Sequence, residues 1–103
     1  TAYDAAFTNG TKTTIEAGEF GKIYLAAQAH VTINEAEVDT ITSCAITTGN
    51  LGMLTIGAGT HVGTINLTPP GTYQLALTIE NGAKVDAIIY KGVTYTQDAW
   101  NNL

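Results

Sequence analysis

Two short phrases recur together along this chain, and a chain that repeats in this way is built to stack its repeats. The first phrase is an apolar residue (Thr in the first copy), then Thr, then Ile. It reads Thr13-Thr14-Ile15, Val31-Thr32-Ile33, Leu54-Thr55-Ile56 and Leu77-Thr78-Ile79, with steps of 18, 23 and 23 residues between the middle threonines. The second phrase follows at a nearly fixed distance: Phe20, Val38, Val62 and Val85, each with an isoleucine three residues on, at Ile23, Ile41, Ile65 and Ile88. In an extended chain alternate side chains point to opposite faces. Ile15, Ile33, Ile56 and Ile79 therefore point inward, with Val31, Leu54 and Leu77 beside them. Thr14, Thr32, Thr55 and Thr78 point outward as a ladder.

Between the phrases lie EAGE, NEAE, GAGTH and ENGAK, and three of the four contain glycine. That is the residue expected where a chain bends through positive φ. The second strand of each repeat begins Ile23-Tyr24-Leu25, Ile41-Thr42-Ser43, Ile65-Asn66-Leu67 and Ile88-Ile89-Tyr90, its first and third positions inward. The remaining side absorbs the length differences: Ala26 to His30, Ala45 to Met53, and Thr68 to Ala76, which includes Pro69-Pro70-Gly71. A Pro-Pro-Gly run lacks the donors of an interior strand and is expected at a corner or in a projecting loop.

A β-branched repeat of this length with glycine at its corners predicts an all-β fold, a short parallel β-helix (β-solenoid) of about four coils. The alternative is an antiparallel β-sandwich whose strands look alike. The whole of 1–103 is read as a single domain. Residues 1–12 form an N-terminal cap in which Tyr3 and Phe7 pack over the core and Thr8-Asn9-Gly10-Thr11 makes a turn. Residues 13–88 form the repeat core and 89–103 a C-terminal cap. In that cap Ile89 to Tyr95 reads as a hairpin around Lys91-Gly92. Thr96 is placed to cap a short helix over Gln97 to Leu103, with Asp98 near its positive end and Trp100 and Leu103 on its packing side. So short a stack leaves unpaired strand edges at its ends, which caps or oligomerisation must cover.

Composition narrows the function classes. The charged fraction is 13% and the net charge −5, with Lys12, Lys22, Lys84 and Lys91 as the only side-chain cations besides histidine. Nucleic-acid binding needs clustered cations to displace counterions, so no nucleic-acid partner is expected, and the same deficit argues against an anionic membrane. No apolar run has the length of a transmembrane helix or an intact signal peptide. Cys44 is the single cysteine; no internal disulfide can form, and a small buried hydrophobe is its expected role.

The residues that invite chemistry do not assemble into a recognisable pattern. Asp39 and Asp86 follow equivalent valines with Gly63 between them, which would set them ~10 Å apart on the outside of the stack. That resembles an inverting glycosidase pair only in spacing, and solvated surface carboxylates are the preferred reading, as they are for Glu35 and Glu37. His30, His61 and Cys44 show no metal-ligand spacing. Ser43 replaces an inward leucine, where a nucleophile would be buried, and Gly57-Ala58-Gly59 lacks the lysine and helix of a phosphate loop. A threonine ladder can bind ice or flat crystals only with a second matched column. Lys22, Thr40, Thr64 and Ala87, taken as that column, break at both ends, so a structural ladder is expected. The reading is thus of no enzyme, with no catalytic, cofactor-binding or metal residues and no cofactor.

The ending IIYKGVTYTQDAWNNL resembles the endings of tailed-phage head-fibre and capsid-decoration proteins, through Ile88, Tyr90, Gly92, Thr94, Tyr95, Thr96 and Trp100. The resemblance covers about the last sixteen residues. It implies a non-enzymatic virion protein on the capsid exterior, a homotrimer whose partner is the major capsid protein or another virion protein. The length favours a compact cement or knob over a long fibre. The alternative is a secreted, extracellular carbohydrate-binding or adhesin β-solenoid module, for which Tyr24, Tyr73 and Tyr90 would line one face. A miniature polysaccharide lyase or hydrolase is the third reading, against which four coils offer hardly any groove.

Overall fold

The computed structural model describes residues 3–7, 10–25, 29–43, 52–67, 75–90 and 92–102. Ten strands and one short helix succeed one another. They are β1 (Tyr3–Phe7), β2 (Lys12–Ile15), β3 (Gly18–Leu25), β4 (His30–Ile33), β5 (Ala36–Ser43) and β6 (Gly52–Ile56). Then come β7 (His61–Leu67), β8 (Leu75–Ile79), β9 (Lys84–Tyr90), β10 (Val93–Tyr95) and α1 (Gln97–Asn101). The chain is all-β apart from that helix.

Successive strands alternate between two sheets. The odd strands and β10 form a six-stranded sheet in the order β1-β3-β5-β7-β9-β10, and β2-β4-β6-β8 form a four-stranded one. Among the described residues every pairing is parallel except that of β9 with β10. The antiparallel sandwich is therefore not the arrangement. Parallel neighbours need a crossover, and here each crossover is a strand of the other sheet.

The register follows the sequence phrases. Ile15, Ile33, Ile56 and Ile79 pair in one line, as do Thr14, Thr32, Thr55 and Thr78. In the larger sheet Ile23, Ile41, Ile65 and Ile88 pair likewise. Identical side chains thus stack on one another, and the inward columns make the core. Ile23, Ile33, Ile41, Leu54, Ile56, Ile65 and Ile88 are fully buried, whereas Ile15, Leu77 and Ile79, nearer the ends, are only partly covered. At about 25 cal/mol per Å² of apolar surface, this stacking is the main stabilising term.

The corners between the sheets differ in length. The first two are tight, and at the one without glycine Glu35 takes φ 55°. The last two are wider turns closed by Thr60 N–H donating to the Gly57 carbonyl (3.2 Å) and Ala83 N–H to that of Glu80 (3.1 Å). Gly59 and Gly82 supply their positive φ of 81° and 89°. The wider third corner turns Thr60 inward. Its hydroxyl, buried, donates to the Ile33 carbonyl at 2.9 Å and so ties one repeat to the previous one. A Cβ at Gly57 would displace the Asn34 side chain and crowd the Ile33 carbonyl oxygen.

The N-terminal stretch runs as a strand and packs Ala5 and Phe7 against the core. Tyr3–Phe7 join the larger sheet as its outermost parallel strand, and β2 already begins at Lys12. The pairing is out of step at one point: Tyr3 lies beside Phe20, but Ala5 beside Ile23. Asp4 alone spans the width of Gly21 and Lys22. Its Oδ1 accepts the Lys22 N–H at 3.0 Å and lies 2.8 Å from where a Cβ on residue 21 would stand. Gly10 has the positive φ (79°) expected of the turn.

The C-terminal end is closed. β10 folds back antiparallel on β9 through a turn in which Gly92 has φ 78°, pairing Val93 with Tyr90 and Tyr95 with Ile88. The Thr96 side chain then caps α1 by accepting the Ala99 N–H at 3.1 Å, with Asp98 in the first turn. Trp100 packs edge-on against Tyr90 and Tyr95, ring centres 5.5 and 5.7 Å away. The Gln97 carboxamide completes the closure. Its Oε1 accepts the Val85 N–H (2.8 Å) and its Nε2 donates to the Ala83 carbonyl (3.1 Å). One side-chain amide thus replaces the peptide group that a further strand would bring to β9. Leu103 and Lys91 lie outside the described residues.

Candidate functional site

The outward face of the larger sheet carries the main polar constellation. The residue just before the valine column is Glu19, Glu37, His61 and Lys84 in successive repeats, paired in register. Asp86 follows two positions after Lys84 on the same strand. Neighbouring strands lie about 4.8 Å apart, so an imidazole on β7 reaches a carboxylate on each side. His61 Nδ1 lies 2.8 Å from Glu37 Oε1, and His61 Nε2 lies 3.0 Å from Asp86 Oδ2. The bridge spans β5, β7 and β9.

A neutral imidazole carries one N–H and would turn its bare nitrogen toward one of the two carboxylates. The imidazolium donates to both. The hydrogen bond to Asp86, then that to Glu37, raises the His61 pKa above its ordinary value, against a small opposing effect of burial. All three side chains are substantially exposed, at 37%, 60% and 53%, so solvent screens the pair energies. In the imidazolium form each ring nitrogen donates a proton to one carboxylate. The constellation is a brace between repeats.

The other sequence candidates are dispersed. Asp39 and Asp86 do occupy equivalent places flanking Gly63, as the valine register requires, but Asp86 is engaged by His61. Gly63 is required because the Asp39 carbonyl oxygen comes within 2.6 Å of where its Cβ would be. His30 and His61 stand in different sheets: His30 pairs with Lys12 and Met53. Ser43 pairs with Leu25 in register, as the inward position demands; its side chain, like Cys44, Pro69-Pro70-Gly71 and Tyr73, lies outside the described residues. Among the described residues no three His, Cys, Asp or Glu side chains converge to hold a metal ion. No described helix is long and apolar enough to cross a membrane.

The threonine ladder is real, with Thr14 and Thr78 exposed and Thr32 and Thr55 half-buried. Its neighbouring column is not the one expected, however. Lys22, Thr40, Thr64 and Ala87 line up with one another in the larger sheet. Beside the ladder in the smaller sheet stand Lys12, His30, Met53 and Ala76. The aromatic candidates also separate. Tyr24 is 45% exposed in an outward column with Ala6, Thr42 and Asn66. Tyr90 belongs to the inward column of Leu25 and Leu67 and packs on Trp100.

Glu37 and His61 align one residue before the valine column, so their proximity could have been read from the repeat. The differing residue types in that column concealed it. No protein-family model, curated protein or solved structure matches the chain.

Proposed function

We propose that the chain is a short parallel β-solenoid of four repeats acting as a non-enzymatic structural protein. It decorates or cements the outside of a phage capsid as a homotrimer, bound to the major capsid protein or another virion protein. The observation that carries the structural part is the in-register stacking of both phrases, with the best-formed polar cluster used up in bracing the repeats. A site that holds an imidazole between two carboxylates is organised for rigidity rather than turnover. The virion part is supported by the ending, in which Ile88, Tyr90, Gly92, Tyr95 and Trp100 contribute to a strand, a glycine turn, a second strand and a capped helix.

A second reading, a secreted carbohydrate-binding or adhesin module, is favoured by one observation, the exposed ring of Tyr24. Light scattering on the eluting protein tests the assembly. A mass three times that of the 10.8 kDa chain is expected, and a monodisperse monomer at high concentration would exclude the trimer.

A further inference from the structure

The outer face of the larger sheet is not flat at its N-terminal end. Ala6 sits above Tyr24 and Thr42 below it in the same column. The small alanine leaves a groove of about 270 Å³ along the tyrosine, lined also by Asp4 and Lys22. The polar part of this rim is built rather than incidental. Because β1 spans Tyr3 to Ala5 where β3 spans Phe20 to Ile23, Asp4 is drawn over Gly21. One of its carboxylate oxygens is anchored by the Lys22 N–H. A side chain at residue 21 would expel it.

We propose that this groove binds a single neutral sugar ring, a pyranoside presented as the terminal residue of a glycan. The chemistry that would recognise it is on one wall and one rim. The Tyr24 ring offers a flat apolar surface to the C–H face of a pyranose. The Asp4 carboxylate accepts from vicinal hydroxyls, while the Lys22 ammonium and the Thr42 hydroxyl serve the ring and hydroxyl oxygens. Asp4 and Lys22 carry opposite charges at the same rim, which disfavours a strongly ionic ligand of either sign. The volume lies just under the range of pockets for drug-sized ligands, which fits one ring and not an extended chain. So open a site binds one ring weakly, with a dissociation constant on the order of 1 mM, and several copies in one assembly would raise the avidity. This inference deepens the carbohydrate-binding reading, on which it rests, and the groove would serve a virion surface protein as well.

The test is a titration of the isotopically labelled full chain with methyl glycosides of glucose, galactose, mannose and N-acetylglucosamine, followed by amide chemical shifts. Saturable shifts centred on Lys22, Tyr24 and Thr42 with at least one glycoside are expected. Tyr24→Ala should abolish them and Asp4→Asn weaken them several-fold, with the strand pairings of the variants checked from their own spectra. Gly21→Ala, which displaces the carboxylate without touching the ring, should behave like Asp4→Asn. Absence of saturable shifts with all four sugars would overturn the proposal, as would shifts centred elsewhere or retained in Tyr24→Ala. Equal or stronger shifts with methylammonium or inorganic phosphate would overturn the assignment to a neutral ring.

Discussion

The two ends of the larger sheet finish the same stack in opposite ways. At the C-terminal end the chain reverses. β10 takes up the edge of β9 from Ile88 to Tyr90, the Gln97 carboxamide takes up Ala83 and Val85, and Trp100 closes over Tyr90 and Tyr95. At the N-terminal end there is no reversal. β1 is laid on parallel to the strands below it, and among the described residues no strand pairs with its far side. A parallel strand always presents the same kind of edge it covered, so adding one moves the edge without removing it. Ending a parallel sheet takes a change of direction or a side chain that imitates a peptide group, and the C-terminal end has both.

Four experiments would sharpen this contrast. The largest effect belongs to neither end. Ile41→Ala, in the fully buried centre of the larger sheet, should cost about 3–4 kcal/mol by urea denaturation, and Ile15→Ala, half-buried in the first repeat of the smaller sheet, roughly half that. Equal costs would mean that the ends are as well packed as the middle. Next, Trp100→Ala should lose about 2–3 kcal/mol, against about 1–2 for Phe7→Ala at the opposite end, and it should make the protein prone to associate through the uncovered edge. If Phe7→Ala proves the more damaging, the N-terminal end is the better closed.

A smaller loss, about 1–2 kcal/mol, is expected for Gln97→Ala, which strands the Val85 N–H and the Ala83 carbonyl. Amide exchange at Val85 should accelerate while that at Val62, one strand inward, stays slow. Unchanged exchange at Val85 would show that water replaces the carboxamide at no cost. The smallest effect is that of the brace. The His61 pKa is raised in the folded chain, so its contribution is complete below the unfolded value of about 6.5 and is lost as pH climbs through the folded value. Exposure holds this to about 1 kcal/mol or less. The stability advantage of the parent over His61→Gln should accordingly be larger at pH 5.5 than at pH 8.5. An advantage that grows with pH would contradict the double hydrogen bond.

The stack itself was legible because in-register pairing places like on like: a threonine above a threonine must recur in the sequence as well as in space. The helix cap at Thr96 and the hairpin at Gly92 were legible for a different reason, that both depend on neighbours in sequence. What escaped has no period. The column Glu19, Glu37, His61 and Lys84 is one line in space but four unlike letters in the chain. The Gln97 bridge joins a side chain to main-chain groups, which carry no residue identity. β1 was hidden by its missing residue, since Tyr3 and Ala5 do not show the three-residue step that marks the other copies. The assignment of Lys22, Thr40, Thr64 and Ala87 to a face failed because periodicity orders residues within a strand but does not say which sheet the strand joins.

The same missing residue bears on what β1 can accept. Below it, each of the four parallel strands β3, β5, β7 and β9 uses three steps from its valine or phenylalanine to its isoleucine; β1 uses two. A strand of the repeat's own gauge laid on β1 would match on one side of Asp4 and be a residue out of phase on the other. Among the described residues the outer edge is thus cut to a different pattern from the parallel strands beneath it. A further copy of the repeat laid on it would have to pass a second irregularity like the one that already joins β1 to β3.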